Sequence, residues 1–275
     1  MTFILVRVKN KLIKCSITLT KKGFEMMKLS LLAHLTAATV VLSAGATHAE
    51  EKSELSIGMV YVGGDSVYAN VKSSSAIMPS ISYRSNKLNV SVQEGLAYKV
   101  TSGDKVSVGV SIRPNFRPYK SSDSADLAGM TRDMYVDGSL NASYKLTSFL
   151  TAKLEAATEL SSKFSGNSVG LSLGQQALIG GQPFIFQAGA KWLDAKRANY
   201  LYGVKASEAN GQRAQYAPGS AILPYVSVQT FHPLTKQTSL FANVNVNFLP
   251  TNLTDSPIVK SGSSVSTILG FNYSF

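Results

Sequence analysis

The chain is poor in charge, cysteine, histidine and tryptophan, and it contains no long apolar run. Charged residues make up 16% of its 275 positions, against about 25% in soluble globular proteins. The one cysteine, Cys15, excludes a disulfide framework and any cysteine-built zinc site. The longest apolar stretch, Leu29 to Leu42, is about 14 residues, shorter than the roughly 20 that a spanning helix needs. What the chain has instead is 21 glycines, an apolar fraction of 44% and an abundance of Ser, Thr and Asn. That composition describes a β-rich protein that exposes few charges to water.

The first 49 residues distort the overall figures. Lys28 is a minimal positive start, Leu29–Leu42 an apolar core, and Thr47-His48-Ala49 puts small residues at the −3 and −1 positions of a cleavage site. This is the layout of a secretory signal peptide over 27–49, with Thr47 and Ala49 as the cleavage residues. No cysteine sits at the cleavage point, so a lipoprotein is excluded. In front of it, residues 1–26 read as an extension. A Lys-Gly pair such as Lys22-Gly23 is encoded by AAR-GGN, which carries AGG shortly before the codons of Met26 and Met27. The expected translation start is therefore Met26 or Met27.

The expected mature chain, 50–275, is only mildly basic. Of the 27 Lys+Arg and 16 Asp+Glu, seven and one precede Glu50, leaving 20 against 15. The basic residues are scattered and not interleaved with aromatics, so no nucleic-acid partner is implied. Two of the three histidines also leave, and His232 alone remains.

Period 2 runs through this chain. Val265, Thr267, Leu269, Phe271, Tyr273 and Phe275 alternate with Ser264, Ser266, Ile268, Gly270, Asn272 and Ser274. Leu240 to Phe248, Phe184 to Trp192, Leu150 to Ala156, Met134 to Leu146 and Val106 to Ile112 repeat the pattern, with one apolar face and one polar or small face. The runs are about 9–14 residues, the length a tilted strand needs to cross a bilayer. Sandwich strands are shorter, about 5–6 residues. The fold class expected is all-β, a transmembrane antiparallel β-barrel. Short linkers at 101–104, 147–148, 178–182 and 232–237 alternate with long ones at 118–132, 161–167, 194–219 and 250–262. Residues 52–100 supply strands near 52–62, 76–84 and 87–100, plus either a short one at 66–73 or a break at Glu94-Gly95. Either gives twelve strands; ten is the alternative. Phe271, Tyr273 and Phe275 end the chain as an aromatic signal for the barrel assembly machinery.

The parts of an enzyme are missing. A hydroxyl nucleophile needs an imidazole to take its proton, and His232 lies in the 232–237 linker, at the periplasmic end. Metal clusters and phosphate cradles are absent from the sequence, so no catalysis and no cofactor is expected. The polar face carries Arg113, Asp137, Lys145, Lys153, Glu155, Glu159 and Lys191. These charges point into the lumen because they cannot face lipid. They either pair and plug it or line a solute-selective pore. The 194–219 linker, with Lys196, Arg197, Lys205, Arg213, Tyr200, Tyr202 and Tyr216, reads as a solvated loop near lipopolysaccharide phosphates, with a short helix over 204–215. Trp192, Tyr200 and Tyr202 suit the membrane–water interface.

Several segments resemble one family. They are Asp255-Ser256-Pro257-Ile258-Val259 before the last strand, Tyr202-Gly203-Val204 followed by Ser207-Glu208-Ala209 and Tyr216, and Leu127-Ala128-Gly129-Met130 with Asp133. Pro79 and Tyr83 fit its early strands. Together they resemble the MltA-interacting protein (MipA)/OmpV family of outer-membrane proteins. The first loop departs from the family pattern and is reduced to Gly63-Gly64-Asp65-Ser66. The resemblance implies a Gram-negative outer-membrane scaffold that brings a lytic transglycosylase together with a penicillin-binding protein at the murein. It carries no catalytic residue. A narrow channel for small solutes, or a surface adhesion and antigen role for the 194–219 and 250–262 loops, are the alternatives.

Overall fold

The computed structural model describes residues 2–8, 11–17, 53–91 and 94–275. They fall in two units, 1–51 and 52–275. In the first, β1 (Thr2–Val8) and β2 (Lys11–Ile17) form an antiparallel hairpin. The expected signal peptide, with Thr47 and Ala49, lies outside the described residues.

The second unit is a closed barrel of twelve strands. In chain order they are β3 (Glu54–Gly64), β4 (Ser74–Arg84), β5 (Leu88–Ser91), β6 (Gly95–Ser102), β7 (Val106–Asn115) and β8 (Tyr135–Lys145). Next come β9 (Leu150–Glu159), β10 (Asn167–Ile179), β11 (Gln182–Leu193), β12 (Ala221–Pro233), β13 (Thr238–Phe248) and β14 (Ser263–Ser274). Each pairs antiparallel with its sequence neighbours, and β14 closes on β3 through rungs from Ser266↔Gly64 to Ser274↔Ser56. The break at Glu94-Gly95 is the one the chain takes, giving β5 and β6; residues 66–73 are loop.

The wall follows from the alternation. Ile77, Ile81, Leu140, Leu154, Leu171, Ile222, Val226 and Leu240 are exposed and face outward, where lipid, not water, is the solvent. Their chain neighbours, such as Ser139, Asn141 and Ser172, face the lumen, as does Asn243 next to outward Val244. Closure matters because an unpaired backbone group in hydrocarbon costs several kcal/mol. Gly180 and Gly181, at φ +58° and +78°, form the two-residue turn joining β10 to β11; only glycine adopts both angles freely.

Five prolines lie within strands, and each sits where one flanking ladder has ended. Pro79 has β3 beside it, but β4 pairs with β5 only at Tyr83 and Arg84. Pro114 lies beyond the first rung to β6, at Ile112. Pro183 and Pro233 lie beyond the last β11–β12 rung, Phe184↔Thr230, and Pro224 lies beyond the β12–β13 rung at Tyr225. A residue without an N–H is tolerated at such an edge.

All long loops lie at one end: 65–73, 116–134, 160–166, 194–220 and 249–262. The turns 85–87, 103–105, 146–149, 180–181 and 234–237 lie at the other. In outer-membrane barrels the short turns are periplasmic. His232 is not in a turn, as expected, but near the end of β12, which runs to Pro233. Its Nδ1 pairs with the Gln182 side chain across the β11–β12 seam.

Candidate functional site

Four long loops, 65–73, 116–134, 194–220 and 249–262, build a second small core at the long-loop end. Val67, Tyr68, Tyr119, Leu127, Met130, Val204, Ile258 and Val259 are buried together there. Backbone bonds fix the loops to one another. Ala69 N donates to Ile258 O at 2.8 Å, and Lys260 N to Val67 O at 2.9 Å. Val204 and Tyr216 exchange two bonds, of 2.8 and 3.0 Å. The Ser256 hydroxyl donates to Tyr202 O at 2.6 Å, and the Tyr68 hydroxyl to Leu201 O at 3.2 Å. Tyr68 packs edge-on to Tyr119 with ring centroids 4.6 Å apart. Burial pushes the Tyr68, Tyr119 and Tyr202 hydroxyls well above the ordinary phenol range, so all three stay neutral.

Three arginines lock this cap. Arg132 is 1% exposed and sits between the rings of Tyr119 and Tyr200, 5.5 Å from each centroid. Its Nη1 and Nη2 grip the Glu208 carboxylate at 2.6 and 2.8 Å, and Nε donates to Tyr200 O at 2.6 Å. Burial pushes the Glu208 carboxyl up, but the Arg132 hydrogen bonds, the Lys205 N–H and the Arg132 charge outweigh it. Its pKa falls below the usual 4.5. Arg213, also buried, ties the backbone carbonyls of Asp126, Ala128 and Glu208 together.

Arg197 reaches into the barrel. It lies on the first turn of helix α1 (Ala195–Tyr202), whose N-cap is Asp194. Asp194 accepts from Arg197 N at 2.8 Å and from Asn167 N at 2.7 Å, anchoring the helix to the start of β10. The Arg197 guanidinium then meets Asp137 of β8 through two bonds, of 2.9 and 2.7 Å, both side chains being 2% exposed. Tyr135 and Phe164 cover it. Phe164 stacks on Tyr200 at 4.4 Å. Glu159 holds that loop by accepting from the backbone N–H of Lys163, Phe164 and Ser165 at 3.0, 3.1 and 2.9 Å.

Deeper in the lumen, Arg113 Nη2 and Lys191 Nζ both lie 3.5 Å from Glu155 Oε1. Their side chains are about a third exposed. Lys153 and Lys145 lie on the same inward face, and neither makes an ion pair among the described residues.

The structure therefore brings together Arg113, Glu155 and Lys191, with Lys153 beside them; Asp137 stands opposite Arg113 in the β7–β8 register but bonds Arg197, and Glu159 bonds the backbone of the 160–166 loop. Asp255, Ser256, Pro257, Ile258 and Val259 meet Tyr202, Gly203 and Val204 inside the cap. Phe271 and Tyr273 lie on the last strand and Phe275 just after it, where Phe275 N donates to Leu55 O at 2.9 Å. Three expectations need correction. Arg197 and Arg213 are buried, not solvated, because each satisfies a partner that is distant in sequence. Tyr202 packs into the cap instead of the membrane interface. The helix of the long loop is Ala195–Tyr202; after it, Ala206–Glu208 makes only a 3-10 turn. Arg132 was not singled out from the sequence, since a lone loop arginine has no spacing that marks it.

The model of the MltA-interacting protein MipA family matches residues 57–275. The outer membrane protein YiaT of Escherichia coli (strain K12) is 27% identical over 227 residues, covering 81% of this chain and 92% of YiaT. Outer membrane protein Omp26La of Vibrio anguillarum is 24% identical over 195 residues, 70% of this chain and 75% of its own length. Among solved structures, an outer membrane channel from Pseudomonas putida F1 is 14% identical with a TM-score of 0.42. That match covers 83% of this chain and 97% of the channel.

Proposed function

Since the chain belongs to the MltA-interacting protein MipA family and is an outer-membrane barrel, we propose that it is a non-catalytic interaction protein. Its periplasmic turns hold a murein-degrading lytic transglycosylase and, with it, a murein-synthesising penicillin-binding protein. The observation that supports this reading best is the cap. A buried core and three buried arginines tie the long loops to one another, and in this reading partners meet the short-turn end. That end presents Lys87, Lys105, Lys236 and Gln237, all exposed, next to the 180–181 turn. Each turn is short, so an interface of ordinary size, about 800 Å² per partner, spans several of them.

Cross-linking living cells with a short amine-reactive reagent, followed by purification from the outer membrane and mass spectrometry, tests this. A lytic transglycosylase or penicillin-binding protein is expected, and its recovery by affinity pull-down without the reagent should fall when Lys87, Lys105 and Lys236 are all changed to Gln. Recovery of assembly machinery and abundant porins alone would refute the docking role.

The second reading is a narrow channel. It is favoured by the partial exposure of Arg113, Glu155 and Lys191, whose side chains are 34%, 29% and 32% accessible inside the wall. A planar-bilayer conductance altered by Lys153→Ala or Glu155→Ala would support it; a silent barrel counts against it.

A further inference from the structure

We propose that the lumen wall of β7, β9 and β11 carries a binding site for a small hydroxylated anion, held by Arg113, Lys153 and Lys191. The inference goes beyond the docking reading and does not depend on it.

The charge at this wall is unbalanced once the buried pairs are assigned. Asp137 bonds Arg197, although it also stands opposite Arg113 in the register, and Glu159 bonds three backbone N–H groups. Among the described residues, Glu155 is the one carboxylate within ion-pair distance of Arg113 and Lys191, with Lys153 beside them. Two of the three share one of its oxygens, each at 3.5 Å. Charge-assisted bonds close to roughly 2.7–2.9 Å when a cation has a carboxylate to itself. Lys153, two residues along the same face, makes no ion pair among the described residues. A surplus of fixed positive charge beside a low-dielectric wall attracts an anion.

The Arg113, Glu155 and Lys191 side chains stay accessible from the lumen, at 34%, 29% and 32%. In the register, Gly170 stands between Glu155 and Lys191, and a Cβ built there would touch nothing closer than Ala190 O at 4.0 Å. The Glu155 and Lys191 side chains cross over Gly170 and meet at 3.5 Å, with about a third of each still accessible. On the cap side of Gly170, the Ser168 hydroxyl is buried and lacks a hydrogen-bond partner. On the other side, Gln187 Nε2 donates to Ser172 Oγ at 2.9 Å and to Tyr225 OH at 2.7 Å, a neutral polar row. Inward-facing Asn243, Asn245 and Asn247 of β13, with Ser264 and Ser266 of β14, line another part of the lumen. Amides and hydroxyls bind hydroxyls; the cations bind a carboxylate or phosphate.

The test is titration of the purified full-length barrel in detergent with glucuronate, glucose and glucose 6-phosphate, by calorimetry at pH 7. Glucuronate should bind at least about tenfold more tightly than glucose, and more weakly as salt rises. The tighter of the two anions identifies carboxylate or phosphate. Lys153→Gln and Lys191→Gln should each weaken binding by about fivefold. Glu155→Gln should tighten it by a similar factor, because it removes the competing carboxylate. Lys153→Gln breaks no ion pair, so its fold is secure; heat-modifiable gel migration checks the others. Equal binding of glucose and glucuronate would overturn the proposal. So would a Glu155→Gln variant that weakens binding as the lysine variants do, which would mark the four side chains as a structural network only.

Discussion

Asp137→Ala strands a buried cation. In the intact protein the Arg197 guanidinium makes two bonds to Asp137 and one to Gly166 O, and its Nε has no partner. Removing the carboxylate leaves a charge, 2% exposed, with a single carbonyl for company. Breaking one side of a buried pair costs about 3–5 kcal/mol. The cost falls on the closed cap, because α1 can swing Arg197 out to water while the barrel ladders stay paired. Opening of α1 should therefore become easier by roughly two to three and a half orders of magnitude. Amide hydrogen exchange of a peptide covering 195–203, read by mass spectrometry, reports that opening directly. The Ala198 and Gly203 amides, which donate to Asp194 O and Asn199 O, should exchange faster by that factor, whereas β13 should not change. The double variant Asp137→Ala/Arg197→Ala leaves no stranded charge and should be much milder than the single. Exchange within about threefold of the parent, or a double variant as fast as the single, would refute the assignment of Arg197 as the latch.

Ile258, fully buried in the cap, predicts a loss of about 2–5 kcal/mol in cap stability for Ile258→Ala, with exchange in the barrel strands unchanged. Glu208 predicts an acid-sensitive cap. Its folded pKa lies below 4.5, so its stabilisation is full above the unfolded value and is lost as pH falls through the lower folded one. Cap exchange, corrected for intrinsic rates, should accelerate over that acidic window, and Glu208→Gln should flatten the profile. Phe275→Ser, which removes the last of the three terminal aromatics, should lower the yield of heat-modifiable barrel in the outer membrane without affecting synthesis, as measured by fractionation and gel migration.

The wall was legible because lipid and water impose opposite demands on alternate residues, and a strand cannot meet both without period 2. Val106–Ile112 and Leu240–Phe248 announce themselves in that way. The β5–β6 hairpin was harder to read: β5 is four residues long, too short for alternation to show, and Glu94-Gly95 alone hinted at the break. The cap was not legible as a cap. Its stability comes from contacts such as Arg132–Glu208 and Arg197–Asp137, separated by 76 and 60 residues, and a loop arginine looks the same in sequence whether solvated or buried. From the sequence alone, Arg197 and Arg213 look solvated and lipopolysaccharide-facing for that reason.

The segments that carry the family resemblance nonetheless converge on this cap. Asp255 to Val259, Tyr202 to Val204, Leu127 to Met130 and Glu208 lie in three different loops, and the structure packs them against one another. The physical reason is a difference in tolerance. An outward wall position such as Leu154 or Val226 needs only to be apolar, and an inward one such as Ser139 only small and polar, so many residues serve. A cap position must match a particular partner. Ser256 has to reach the Tyr202 carbonyl, and Ile258 has to fill a closed core. Gly129 holds φ +80°, which leaves the Ala128 carbonyl free to meet Arg213. The segments that carry the resemblance therefore lie in loops, where function concentrates too. It follows that the cap specifies something the wall alone cannot: a particular packing of the four long loops against one another at one end of the barrel.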